Sequence, residues 1–283
     1  MSITEMGRSF VIPIGVEFPE NISSTSVGLL LHNPYTFYAK HILKLKHLDR
    51  FKDKPNLADF GIFMHFVLDQ YTKSYRCGPY GEHVSRFLSI ARSALQQMHL
   101  HKQDLWLHKL EGIAQEFVDF DLVRRADLSK VWSEQKGHTM IKLSKVSLRL
   151  TAIADRIELS DKGDVCILDY KTGLMPSVQE VRMGLSPQMI VSSIIASKGG
   201  FACLNRPVVP SKIVYVKLAS CSPYWRSSDI MLDDGDLDRH LDQLVALLEI
   251  LMSGAELKFS PGGNPIKRYD EYVHLSRVFS YLD

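Results

Sequence analysis

At 283 residues, 45% hydrophobic and 23% charged, the chain can bury a real core and has the balance of an ordinary soluble globular protein. Its net charge of +2 does not by itself mark a nucleic-acid binder. No stretch reaches the length of a transmembrane helix, and the start lacks the basic and apolar run of a signal peptide, so no membrane association and a cytoplasmic location are expected. The four cysteines, Cys77, Cys166, Cys203 and Cys221, form no CxxC; Cys166 and Cys203, in apolar surroundings, read as buried free thiols.

Residues 1–22, with Pro13 and Pro19 and no period, read as a lead-in or loose strand. Ser23, Ser24 and Thr25 can cap a following helix, which Asn33-Pro34 divides in two. Tyr35, Phe37 and Tyr38 read as core. Lys40, Lys44, Lys46, Arg50, Lys52 and Lys54 crowd one early stretch, and Asp229, Asp233, Asp234, Asp236, Asp238 and Asp242 crowd a late one. That asymmetry fits a basic DNA-facing surface with an acidic back, and equally a solvated helix face. A second helix starts near Leu57 or Asp59 with the stripe Phe60, Phe63, Val67 and Tyr71; His65, alone in mid-helix, reads as a satisfied interior side chain. Two more helical patterns follow, over 83–101 and 103–128. Trp132-Ser133-Glu134 leads onward, with Glu134 a surface carboxylate or an extra ligand.

The stretch Ser147–Gly173 reads as two strands joined by the turn Ser160–Asp164. Alternation places Ile153, Asp155 and Ile157 on one side of the first strand, and the apolar second strand ends with Asp169 and Lys171 on one face. Charge at the ends of paired strands needs a reason. One is a hard divalent cation taking oxygen ligands; the other is a sheet-end salt bridge of Asp155 with Arg156 or Lys171.

Beyond Gly173, a helix from Pro176 is broken at Ser186-Pro187 and stopped by Gly199-Gly200. The strand KIVYVKLAS sends Ile213, Tyr215 and Lys217 one way and Val214, Val216 and Leu218 the other. A long helix over 237–254, a Gly/Pro loop and a short closing helix complete the pattern. The order implies an α/β fold, a mixed sheet with helices on both faces, in one domain.

The segments IADRIEL and ILDYKTG resemble the RecB-type signature of the PD-(D/E)XK nuclease superfamily; GIFMH resembles its helical histidine motif and PQM its glutamine motif. The flanks, LADFGIFMHFVLDQY, EQKG and YDEYVHLSRVFSYL among them, look like the C-terminal nuclease region of the B subunit of AddAB helicase–nucleases of the alphaproteobacterial kind, from about residue 23 onward. Those B subunits are much longer, so the chain corresponds to their nuclease domain or to a shortened relative.

The resemblance implies a restriction-endonuclease-like mixed central sheet flanked by helices, with a helical N-terminal part: lead-in 1–22, nuclease domain 23–283. It makes Asp155 and Asp169 acidic metal ligands, the Tyr170 carbonyl a neighbouring ligand and His65 a further one. Lys171 would position or activate water and stabilise charge on the phosphate, and Gln188 would hold DNA or the lysine. Ser192 stands where the family usually has an acid or tyrosine, and Phe60 where many relatives have arginine.

Implied too are Mg²⁺ or Mn²⁺ as cofactor, single-stranded DNA as substrate, a helicase–nuclease A subunit as partner, and exonuclease action in double-strand-break repair and recombination. Some branches hold an iron–sulfur cluster through a cysteine before the first helix's proline and three near the C-terminus. Here Asn33 precedes Pro34 and no cysteine follows Cys221, so no cluster is expected. Two other functions share these residues: a catalytically weak DNA-binding or scaffolding module, and a stand-alone phage or defence nuclease. The lysines between Lys40 and Lys54 are candidate DNA contacts.

Overall fold

The elements begin where side chains can replace missing backbone partners. In the computed structural model, which describes residues 8–10, 16–46, 57–97, 103–218, 222–233, 235–254 and 257–259, strands β1 (Arg8–Phe10) and β2 (Asn21–Ser23) lead into helix α1 (Ser24–His32). The Ser23 hydroxyl accepts the Ser26 amide at 3.1 Å to start α1. The Asn33 side chain accepts the amides of Tyr35 and Thr36 at 3.1 and 3.2 Å to start α2 (Pro34–Phe37), with Pro34 in the first turn, so the helix divides at Pro34 as the sequence implied.

Helices α3 (Leu57–Lys73), α4 (Tyr80–Gln97) and α5 (Gln103–Arg125) follow, then strands β3 (Leu128–Lys142), β4 (Ser147–Ser160) and β5 (Val165–Lys171). A reciprocal cap between Ser177 and Glu180 opens α6 (Val178–Arg182), followed by α7 (Gln188–Ser197). Strands β6 (Lys212–Leu218) and β7 (Trp225–Met231), helix α8 (Asp236–Met252) and β8 (Leu257–Phe259), which pairs with β1, complete the described chain.

Six strands form one mixed sheet. Strand β4 runs along the whole of β3 on one edge; its other edge pairs first with β2, in parallel, and then with β5. The order continues through β6, parallel to β5, to β7. Strand β2 straddles the expected boundary at residue 22 and belongs to this sheet.

Strands β5 and β6 are buried on both faces, and their alternation sorts two cores. Val165, Ile167, Ile213 and Tyr215 pack with α1, α2, α7 and α8; Leu168, Tyr170, Val214 and Val216 pack with α3, α4 and α5. Phe37 lies fully in the first core with Tyr38 against it, and Phe63, Val67 and Tyr71 fully in the second. This is the mixed α/β sheet flanked by helices that the sequence implied. Cys166 is buried, Cys203 only half-buried and Cys77 exposed. Among the described residues no helix is long and apolar enough to cross a membrane. The closing helix expected over 269–282, and Arg50, Lys52, Lys54 and Cys221, lie outside the described residues.

Two strands depart from expectation. Strand β3 occupies what read as a lead-in, and β7 was not foreseen; both are polar sequences held by pairing with an apolar neighbour. Moreover, β3 and β4 change facing together. Positions turned to the first core run Leu148, Leu150, Ala152, Ala154 and then Ile157, a step of three instead of two at Asp155. Opposite, Glu134 has φ +48°, and Ser133 turns toward α3 while Gly137 and Ile141 face the first core. Ile153 and Ile157 therefore do not share a side: Ile153 is 46% exposed, and Ile157 is fully buried. A non-glycine residue in the left-handed region costs about 1–3 kcal/mol, which the surrounding pairing must offset.

Past this point Arg156 points into the second core, wholly buried. Its guanidinium lies 2.5 Å from Asp121 Oδ1 on α5 and 2.8 Å from Glu158 Oε1. Arg125 closes on Asp121 at 2.7 Å, and Arg124 takes Glu158 with two nitrogens. The network ties α5 to β4 one residue from Asp155. Removing one partner of a buried pair strands the other charge, at a cost of about 3–5 kcal/mol. Asp121→Ala is expected to lower unfolding free energy by that amount in urea titration; a loss below about 1 kcal/mol would show the network to be dispensable.

Candidate active site

The paired change of facing turns Glu134 and Asp155, opposite each other on β3 and β4, toward the His65 ring on α3. His65 Nδ1 lies 3.6 Å from Asp155 Oδ2 and 3.7 Å from Glu134 Oε1. One ligand atom from each of the three residues lies within 4.8 Å of the others. His65 Nε2 sits 3.0 Å from the Tyr170 carbonyl oxygen, while the Tyr170 amide donates to Asp155 Oδ2 at 2.8 Å. A nitrogen, two carboxylates and a carbonyl therefore converge where β5 ends.

Helix α3 is held close enough for this by two devices. Gly61 has no side chain to obstruct Thr172, whose hydroxyl would lie 2.9 Å from an added Cβ. Asp69, one turn beyond His65 and almost buried, accepts the Ser133 hydroxyl at 2.6 Å and the Lys73 ammonium at 2.7 Å. The bond to Ser133 fixes β3 beside Glu134.

A second group lies alongside. Lys171 Nζ is 3.0 and 2.7 Å from the two oxygens of Asp169 and donates to Gln188 Oε1 at 2.9 Å. An ammonium has three N–H bonds, so Asp169 and Gln188 aim it while its side chain stays 26% exposed. Gln188 starts α7, and Ser192, one turn later, is buried with its hydroxyl donating to the Gln188 carbonyl at 3.1 Å. Ser192 is thus turned onto its own helix. The sheet-end salt bridge considered for Asp155 is not formed: Arg156 takes Asp121 and Glu158, and Lys171 takes Asp169.

Electrostatics matches the crowding. Burial, then the negative charge of Asp169, pushes the Asp155 carboxyl up to about 7. Burial also raises Asp169, with Lys171 opposing. Burial would lower His65, but its bond with Glu134 and the charges of Asp155, Asp169 and Glu134 raise it to about 9. Carboxylates kept from water beside one another favour a bound cation. The donor set, oxygen-rich with one imidazole, suits a hard or borderline divalent ion.

The group opens on a cleft of about 1010 Å³ between α3 and the far halves of β3 and β4, lined by His65, Glu134, Asp155 and Gln188. Lys136, His138 and Arg149 also line it and are exposed. His65 is therefore a cleft residue and not the satisfied interior side chain that its isolation in the sequence implied. Glu134, read as a surface carboxylate or an extra ligand, belongs to the central cluster; its signals were its place ahead of the hairpin and in the family-like segment EQKG.

Residues 21–262 match the PD-(D/E)XK nuclease superfamily, and the chain belongs to that superfamily. Its members typically use divalent metal ions. Proteins of Rickettsia bellii (strain RML369-C) and Rickettsia conorii (strain ATCC VR-613 / Malish 7), both described as uncharacterized, are 33% and 32% identical over 91% and 92% of this chain. The chain spans only 32% and 34% of those relatives. One of the subunits of an ATP-dependent helicase/deoxyribonuclease of Streptococcus mutans is 20% identical over 62% of this chain and 16% of its own length. The solved structure of SSO0001 aligns with 76% of this chain and 96% of that one, at 14% identity and a TM-score of 0.36.

A ligand at a hundredfold its Kd adds about 2.7 kcal/mol to stability. Saturating Mg²⁺ or Mn²⁺ should raise the melting temperature of the wild type, and Asp155→Ala should remove the increment. Protons compete for Asp155 below about pH 7 and for His65 below about pH 9, so metal affinity should be higher at pH 8 than at pH 6. An equal increment in Asp155→Ala, or greater affinity at pH 6, would place the metal elsewhere.

Proposed function

We propose that the chain is a metal-dependent DNA nuclease domain, hydrolysing phosphodiesters exonucleolytically on single-stranded DNA. The observation that carries this reading is the closeness of two groups: the donors of His65, Glu134 and Asp155 within 4.8 Å, and the Lys171 ammonium, which Gln188 of the same cleft holds against Asp169. Asp155, Asp169, His65 and the Tyr170 carbonyl would hold Mg²⁺ or Mn²⁺, with Glu134 as a further ligand or as the acid that orients His65. The ion, when bound, supplies Lewis acidity toward water and the phosphate oxygen.

The protein's own residues do the rest. The Lys171 ammonium, 26% exposed, would meet charge that grows on the phosphate, and Asp169 and Gln188 prevent it from turning away. Asp155 accepts the Tyr170 amide and so holds its carboxylate in place beside His65. Lys136, His138 and Arg149 offer phosphate contacts that hold the strand with little regard to sequence.

Similarity to the streptococcal helicase/deoxyribonuclease protein supports a role beside a helicase–nuclease A subunit in double-strand-break repair and recombination.

The test is cleavage of labelled single- and double-stranded DNA with Mg²⁺, Mn²⁺ or EDTA, beside Asp169→Ala and Lys171→Ala. Metal-dependent cutting, faster on the single strand and reduced roughly 100-fold or more in each variant, is expected. Binding without cutting, or cutting unaltered by either substitution, would refute the enzyme.

A further inference from the structure

The cleft's two walls differ in chemistry. Beyond Glu134 and Asp155, β3 and β4 present Lys136, His138 and Arg149, all exposed. The α3 wall presents Ile62, 62% exposed, and Phe66, 40% exposed, one helical turn apart, and Ile153 on β4 lies in the same cleft at 46% exposed. Large apolar side chains left in water beside a charged centre need an occupant.

Phe66 also lines a second hollow, of about 200 Å³, between α3 and α4, with Gln70, Ser89, Ser93 and Gln97. Ile62, Phe66 and Gln70 recur every four residues, so they form one row along the helix from the cleft into this hollow. Among the described residues no charged side chain lines the hollow, which makes it a poor place for phosphate. An aromatic face with amide and hydroxyl groups around it is what an unstacked nucleobase requires.

We infer that Phe66 is the stacking platform of a nucleobase subsite, with the hollow between α3 and α4 receiving a base displaced from the strand whose phosphates follow Lys136, His138 and Arg149. This rests on the nuclease reading and extends it. Paired bases are enclosed in the duplex, so only an unpaired strand can use both walls at once. The Gln70 and Gln97 amides, each able to donate and accept, bind base edges without a fixed preference for one base.

Stacking of one base on an aromatic side chain changes affinity by about 1–3 kcal/mol, or roughly 5- to 150-fold. The experiment compares KM for cleavage, with Mg²⁺, of an intact single strand and of a wholly abasic strand of equal length. Wild type and Phe66→Trp should favour the intact strand by roughly 5- to 150-fold. In Phe66→Ala that ratio should fall toward one, with kcat moving far less than KM. A ratio unchanged in Phe66→Ala, or a wild type indifferent to the missing bases, overturns the subsite while leaving the nuclease standing. A wild type that cuts no DNA with any divalent ion overturns both. Because Phe66 is substantially exposed, its replacement leaves the core intact, and circular dichroism of each variant checks this.

Discussion

Everything at the cleft depends on two paired strands changing facing at the same place. In an undisturbed ladder, successive residues alternate, and Ile157 would share the exposed face of Ile153. Here the left-handed backbone at Glu134 and the three-residue step at Asp155 let both side chains turn toward α3 while β3 and β4 keep their register. On one side of the change the two strands carry an exposed face with Lys136, His138 and Arg149; on the other, β4 is buried on both faces from Arg156 to Glu158. The junction is where His65, Glu134 and Asp155 meet.

Such a junction is costly, and the surroundings offset the cost. The Asp69–Ser133 bond fixes β3 against α3, and the Arg156 network fixes β4 against α5. Both are polar contacts in places where apolar packing would hold the strands equally well. What they add is direction: a carboxylate or guanidinium satisfied on one partner specifies how a strand is turned, which an aliphatic side chain does not. Burial likewise raises the carboxyls of Asp155 and Asp169, so their charged forms are disfavoured until a cation is bound beside them.

The sequence made much of this legible because apolar periodicity and punctuation are local. Pro34, Ser23 and Gly199 marked helix ends, the apolar run VCILDYK marked a strand, and the alternation in KIVYVKL separated Ile213 and Tyr215 from Val214, Val216 and Leu218, which pack in different cores. Strands β3 and β7 were not legible, since LSKVWSEQKGHTMIK and WRSSDIM carry no apolar alternation and owe their conformation to the strands beside them. For the same reason Glu134 looked like a surface acid. The common facing of Ile153 and Ile157 failed because strict alternation cannot foresee a change of phase. His65, read from its helix alone, looked structural; its distance of 3.0 Å to the Tyr170 carbonyl is a tertiary fact that helical periodicity cannot supply.

The cleft joins a cationic wall, an apolar wall and an anionic floor, an arrangement suited to holding a strand by its phosphates while one linkage lies over the acidic group. The most direct measurement of that centre is anomalous diffraction from crystals grown with Mn²⁺. The strongest peak is expected between His65 and Asp155, with the Tyr170 carbonyl and Asp169 completing the coordination. A strongest peak remote from these residues, with His65 still closed on the Tyr170 carbonyl, would contradict a metal centre at this junction.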